Sequence, residues 1–331
     1  MQIKQVLFRK TTGLILILLV FVVELFVYST RQEGENAASF EQHKLSAFEL
    51  NHDIDFCGEK VPLYSRDILE RYEREVLKNA LWHSEMILLH KRTGKYFPII
   101  ERILKANGVP DDFKYLCMIE SGLDNVVSPA GAAGFWQIME QTGKEFGLTV
   151  SEEVDERYHL EKATRAACRY FKQAYEKFGS WTLVAASYNI GMSGLERRMK
   201  AQDTDNYYDL LLNSETARYV FRILAVKDIL EHPKRYNFDF IKEERYQPYK
   251  IYTLTVDSSV PSWSDWAKQQ AVNYKILKLF NPWLRTAKLT NPDSTKYVLQ
   301  MPKEQIYIFS GDTTDAPNVA VKNDSTLTEN D

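Results

Sequence analysis

Glu120 is the residue whose type and setting point most directly to chemistry. It ends a short helical pattern made apolar by Phe113, Leu116, Met118 and Ile119, and Ser121 and Gly122 follow it at once. A helix C-terminus disfavours a negative charge, and an apolar surround does the same. Both raise a carboxyl towards holding its proton near neutral pH, as a general acid must. Taken alone, a glutamate at a helix end is more often a solvated surface group.

What separates Glu120 from that ordinary case is the order of motifs downstream. Glu120-Ser121-Gly122 is followed by Ser128-Pro129-Ala130-Gly131-Ala132-Ala133-Gly134-Phe135-Trp136-Gln137-Ile138-Met139. Then come Ala186-Ser187-Tyr188-Asn189-Ile190-Gly191 and Glu215-Thr216-Ala217-Arg218-Tyr219-Val220. In this order and spacing, over roughly 109–232, the sequence resembles the soluble lytic transglycosylase family, and within it the membrane-bound murein transglycosylase D branch. The resemblance implies a lysozyme-like helical catalytic domain with Glu120 as its catalytic acid and base. It implies that Ser121 helps position the acid or the sugar, and that the loop glycines let backbone approach a glycan. Gln137 is expected to reach a substrate N-acetyl or hydroxyl group. Tyr188 is expected to donate a hydrogen bond near Glu120 with Asn189 beside it, Glu215 and Tyr219 to line the groove, and Met139 to pack its wall. Bland alternatives stand beside these roles. Tyr219 shares a face with Ile223 and Val226 and reads equally as core, Glu215 reads equally as a helix cap, and Gly131 and Gly134 as turn glycines. Ser187 and Phe135 depart mildly from the family's commoner Ala and Leu.

Ordinary glycosidases set two carboxylates across the scissile bond. The local candidates for a second, Asp124 and Asp155, match no catalytic position of the resembled family. The resemblance therefore implies cleavage of the MurNAc-GlcNAc β-1,4 bond of peptidoglycan strands by one carboxyl, closing a 1,6-anhydro ring on the muramoyl unit without water, metal or cofactor. A muramidase-type hydrolase and a catalytically silent peptidoglycan-binding protein are the competing readings.

These residues need helices to hold them, and the apolar spacing supplies the pattern. Ile68, Leu69, Tyr72, Val76, Leu77, Ala80 and Leu81 predict a helix over 65–93, capped by Ser65 or Asp67 and stopped by Gly94. Further helices are expected over 97–106, 113–120 (with Asp111 or Asp112 as cap), 135–146, 160–178, 181–188 and 215–232. After Pro233 the texture changes to a strand over 249–256, helices over 262–272 and 274–280, and a strand over 297–301. The fold class is thus mainly α, with a small β-α-α-β C-terminal unit. Leu277, Asn281-Pro282, Leu284 and Met301-Pro302 give that unit a faint resemblance to a LysM glycan-binding module, without its early Gly-Asp-Thr. A diverged wall-binding module and a structural appendage both remain open. The expected domains are a signal or anchor segment (1–30), a tether (31–62), the catalytic domain (63–235), the small unit (245–305) and a disordered tail (310–331).

Lys4, Arg9 and Lys10 precede an apolar run over 13–28, interrupted only by Glu24, in the layout of an export signal. No convincing small-x-small cleavage site follows, so residues about 11–30 read as an anchor in the cytoplasmic membrane with the rest on the periplasmic or cell-envelope side. The 45 acidic and 42 basic residues give a net charge of −3, which leaves no electrostatic footprint for nucleic acid. Cys57, Cys117 and Cys168 have no metal-binding spacing. They read as buried thiols, with a Cys117–Cys168 bridge compatible with an oxidising compartment.

Overall fold

The computed structural model describes residue 50 and residues 52–304. The leader, most of the tether and the tail of the sequence analysis lie outside the described residues.

The last part of the expected tether is folded. Strands β1 (Asp55–Phe56) and β2 (Glu59–Lys60) form a small antiparallel hairpin. Phe56 is fully buried, edge-on to Phe113 at 5.4 Å. The Glu59 carboxylate accepts from Trp181 N (2.6 Å), Thr182 N (2.9 Å) and Ser180 Oγ (2.8 Å), satisfying free donors at a helix start.

Helices α1 (Arg66–Leu81) and α2 (His83–Ala106) follow, with the break at Trp82. Gly94 does not stop a helix, and Pro98 lies inside α2 as well. Gly94 is there for close approach: a Cβ would meet Arg245 Cβ at 2.6 Å and the Tyr246 carbonyl at 2.7 Å. Tyr246 N donates to Lys91 O at 2.8 Å, fixing that later segment along α2. Ser65 sits at the N-cap position of α1 but its hydroxyl makes no cap bond.

Helix α3 (Phe113–Ser121) carries the catalytic candidate. Asp112 precedes it without capping it, because its carboxylate accepts from Cys57 N and from Lys227 Nζ, both at 2.7 Å. Helix α4 is only Glu140–Glu145, so half of the helix expected over 135–146 is not helical. Helix α5 (Leu160–Phe178) buries Ala163, Ala166, Ala167 and Ala174, small residues that let helices approach closely. Helix α6 (Trp181–Ile190) runs further than expected, and α7 (Met192–Gln202) was not expected.

Helix α8 (Ser214–Glu231) is the centre of the domain, packed by α1, α3 and α6. Its residues from Tyr219 to Val226 are buried on nearly every side except at Arg222, the pattern of a core helix. Arg218 on α8 pairs with the buried Glu75 of α1 at 2.7 Å.

The C-terminal unit has the expected β-α-α-β order. Strand β3 (Ile251–Val256) pairs antiparallel with β4 (Tyr297–Pro302), Ile251 opposite Pro302 and Val256 opposite Tyr297. Helices α9 (Trp263–Gln269) and α10 (Tyr274–Phe280) lie between them in sequence. The expected fold class, mainly α with this small unit, is the one the structure has. Cys117 and Cys168 are both buried free thiols, so no bridge joins them.

Candidate active site

Glu120 stands on the last turn of α3, whose approach Phe113, Tyr115, Leu116, Cys117 and Met118 bury. Gly122, at φ +62°, ends the helix in a conformation that glycine adopts without steric cost. Two arginines bind the backbone at this end. Arg222 Nη2 donates to Ile119 O at 3.0 Å. Arg92 Nη1 donates to Gly122 O at 2.6 Å while its Nη2 holds the Asp124 carboxylate at 3.0 Å. Asp124, the nearer of the two second-carboxylate candidates in sequence, is therefore exposed and already paired.

The Tyr219 hydroxyl donates directly to Oε1 of Glu120. Burial pushes the Glu120 carboxyl above its ordinary range, the Tyr219 hydrogen bond and the Arg222 charge pull back, and the Glu215 charge pushes up again. The net direction is up, towards a carboxyl that holds its proton. Burial and the neighbouring Glu120 charge also keep the Tyr219 phenol un-ionised.

Tyr188 makes a different contact from the one expected of it. Its hydroxyl donates to Trp136 O at 2.7 Å, and its ring packs against Tyr170 and Phe171 at 5.2 and 5.3 Å. It lies close enough to Glu120 for that charge to raise its pKa, together with burial. The phenol bonded to the carboxyl is nevertheless Tyr219, because α8 rather than α6 aims its side chain there.

Asn189 and Glu215 come together as a pair. Asn189 Nδ2 donates to Glu215 Oε1 at 3.2 Å, and Asn189 Oδ1 accepts from Thr216 Oγ1 at 2.7 Å. Glu215 does not cap α8; the cap is Asn213, which accepts from Thr216 N at 2.9 Å. Glu215 stays exposed, with its charge felt at Glu120.

The glycine-rich loop is tied from within. Gln137 has a left-handed backbone (φ +47°), and its Nε2 donates to Val126 O at 2.9 Å and Gly134 O at 2.8 Å. Those donors serve the loop rather than reaching outwards. Trp136 is fully buried and donates to Thr164 Oγ1 at 2.9 Å. Gly134 is required by contact: a Cβ there would sit 2.0 Å from the Arg157 carbonyl. Ser121 Oγ donates to Cys117 O at 3.3 Å, a bond within its own helix. Met139 is 45% exposed.

Sequence reasoning missed three arginines. Arg92 and Arg222 brace the end of α3. Arg157 braces the loop, donating to Gly131 O at 2.9 Å, to Ile138 O at 3.1 Å and to both oxygens of Asp155. The one available signal was the Asp155-Arg157 spacing; nothing local marked the other two. Among the described residues, no group of three or more His, Cys, Asp or Glu side chains gathers as a metal site, and no helix is long and apolar enough to cross a membrane.

A helical domain with a part-buried glutamate and a glycine-rich loop near it is similar to known proteins. Residues 97–211 match the transglycosylase SLT domain, and residues 252–305 match the soluble lytic transglycosylase C-terminal LysM-like domain. The helical domain thus carries a match to the transglycosylase SLT domain, and the β-α-α-β unit one to a LysM-like domain. Among curated proteins the chain is similar to the membrane-bound lytic murein transglycosylase D of two Escherichia coli strains, at 32% identity over 192 residues, 55% of this chain. It spans 41% of the length of those relatives. A solved structure, an inactive mutant of the lytic transglycosylase Slt from Pseudomonas aeruginosa, shares 20% identity at a TM-score of 0.33, covering 46% of this chain and 26% of that one.

Proposed function

We propose that this protein is a peptidoglycan lytic transglycosylase in which Glu120 serves first as acid and then as base. The observation that carries the reading is a carboxyl, raised by burial, whose hydrogen-bond partner is the Tyr219 hydroxyl. A carboxyl shifted in that direction favours its protonated form and delivers the proton to the glycosidic oxygen as the MurNAc-GlcNAc bond breaks. The electron-poor anomeric carbon then takes an electron pair from the substrate's own N-acetyl oxygen. Glu120, now a carboxylate stabilised by the Tyr219 hydroxyl, removes the proton of the muramoyl 6-hydroxyl. That oxygen bonds to the anomeric carbon, the N-acetyl group leaves it, and a 1,6-anhydro end results. No atom of water is consumed.

Asn189, Glu215 and the 131–138 loop would line the strand's path, with Ser121 and Gln137 acting through backbone geometry. The names of the relatives and the basic-then-apolar leader support a place on the envelope side of the cytoplasmic membrane, held by residues about 11–30. Mass analysis of products from purified peptidoglycan tests the chemistry. Anhydro ends support it, reducing ends would make the protein a hydrolase, and intact strands would make it a silent binder.

A further inference from the structure

The C-terminal unit is joined to the glycine-rich loop through one short segment, 153–158. On its outer side this segment is held by the C-terminal unit's own backbone. Asp155 N donates to Trp283 O and Arg285 N to Glu153 O, both at 2.9 Å, with Val154 bridged to Leu284. The Glu153 carboxylate accepts from Thr290 N at 2.6 Å and from Thr290 Oγ1 at 3.1 Å. The Arg285 guanidinium lies 3.9 Å from the centre of the Tyr158 ring.

On its inner side the same segment holds the loop. Arg157 donates to Gly131 O and Ile138 O at the two ends of the turn, and its own carbonyl occupies the space beside Gly134. The two sides also share one apolar cluster. Ala133 of the loop, Val154 and Tyr158 pack with Val256, Trp263, Leu284, Leu299 and Met301 of the C-terminal unit. Ala133 is the residue whose N–H and C=O pair with Ile138 across the turn, at 3.1 Å each.

We infer that the C-terminal unit is a working part of the catalytic site: through Glu153, Asp155 and Arg157 it sets the shape of the 131–138 loop and so governs turnover, not only attachment to the wall. The residues named are positioning residues; none of them touches the reacting atoms. Main-chain bonds and a common core tie the module to the site loop, a coupling that attachment to the wall alone does not require. The inference rests on the proposed activity for its kinetic arm alone.

The test uses the full chain with Glu153→Ala, which removes the acceptor for Thr290 at an accessible surface. Glu153→Gln keeps one acceptor oxygen, and Lys275→Ala, at an exposed side chain of α10, is the control. Amide exchange of Ala133 and Ile138, measured without substrate, is expected to speed up in Glu153→Ala, to be partly restored in Glu153→Gln, and to stay unchanged in the control. On short peptide-free glycan oligomers, which need no wall attachment, kcat is expected to fall about tenfold with KM little changed, as a small misplacement of the site requires. Faster exchange with no turnover by the parent protein would uphold the coupling while removing the proposed activity. Unchanged exchange together with unchanged kcat in Glu153→Ala would overturn the inference, even if affinity for whole sacculi dropped.

Discussion

The hydroxyl of Tyr219, buried on α8, donates to Oε1 of Glu120 on α3, joining residues 99 positions apart in the chain. The bond stabilises the carboxylate more than the acid, so it tempers a pKa that burial raises. In Tyr219→Phe that restraint is lost and the Glu120 pKa rises further. Where the protonated acid limits the rate, activity is lost as pH climbs through this pKa, so the alkaline limb of the profile moves to higher pH. The maximum falls by roughly tenfold to a hundredfold, the equivalent of one hydrogen bond to a charged group. A pH–rate profile superimposable on the parent's would remove Tyr219 from the mechanism.

Tyr188→Phe serves as the contrasting variant. Its hydroxyl bonds to the Trp136 carbonyl rather than to the carboxyl. The loss should appear as about 1 kcal/mol of stability, with the position of the pH limbs kept. Denaturant midpoints and a pH–rate series on the same preparation separate the two tyrosines.

Glu120→Gln should lower turnover by at least ~10²–10⁴-fold, because an amide cannot carry a proton through the cycle. It should also stabilise the fold near neutral pH. The native Glu120 pKa lies above its unfolded value, so the native state binds the proton more tightly and loses stability as pH rises between the two values. The amide has no such charge to bury. Thermal unfolding should therefore favour the variant at neutral pH and show no difference below the ordinary carboxylate range. A variant less stable than the parent at neutral pH would contradict the raised pKa.

How the two tyrosines exchange roles shows where the sequence is legible. Both stand in recognisable motifs, and both were placed near the site. Which one reaches Glu120 depends on how α6 and α8 pack against α3, and no local pattern records that packing. Helix α5 was legible to its ends because an unbroken apolar face runs to Gly179. The sequence places the start of a helix at Phe135, so residues 135–138 of the loop are where expectation and structure part. The loop's actual form is imposed by Arg157, some twenty residues away, whose guanidinium binds both ends of the turn. Gly94 misled for a similar reason: the contact that requires a glycine comes from Arg245 and Tyr246, far along the chain.

Asp228 should control the acid limit of the fold. It is 2% exposed and accepts from the hydroxyls of Tyr236 and Tyr72, beside His52, His232 and Arg235. Burial alone would raise its pKa, but the Tyr236 and Tyr72 hydrogen bonds and the nearby charges hold it below the ordinary value. A depressed carboxyl contributes stability that is present above its unfolded pKa and lost as pH falls through the native one. Asp228→Asn should lose about 1–3 kcal/mol at neutral pH, since the amide replaces one of two acceptor oxygens with a donor and leaves a hydrogen-bond donor around it unmet. It should also unfold with a flatter dependence on acid; an acid-unfolding curve parallel to the parent's would show that another group sets the limit.

Arg157→Lys tests whether the loop needs the shape of the guanidinium or only its charge. The native group spans four acceptors: both oxygens of Asp155, Gly131 O and Ile138 O. These lie in different directions around a planar fork, and an ammonium on a shorter, rounder head cannot meet them together. A lysine there keeps the ion pair with Asp155 and loses the hydrogen bond to at least one loop carbonyl, a bond from a charged donor worth about 1.5–3 kcal/mol. The turn holding Gly134 against the Arg157 carbonyl loosens with it. The expected result is a lower unfolding temperature together with a fall in kcat of about tenfold or more, since Phe135 O and Trp136 O of the loop accept from Cys117 and Tyr188, both near the proposed acid. Parallel thermal unfolding and product-release assays on short glycans measure both effects. If charge alone sufficed, Arg157→Lys would match the parent in both, and the fork geometry would have no part in holding the site.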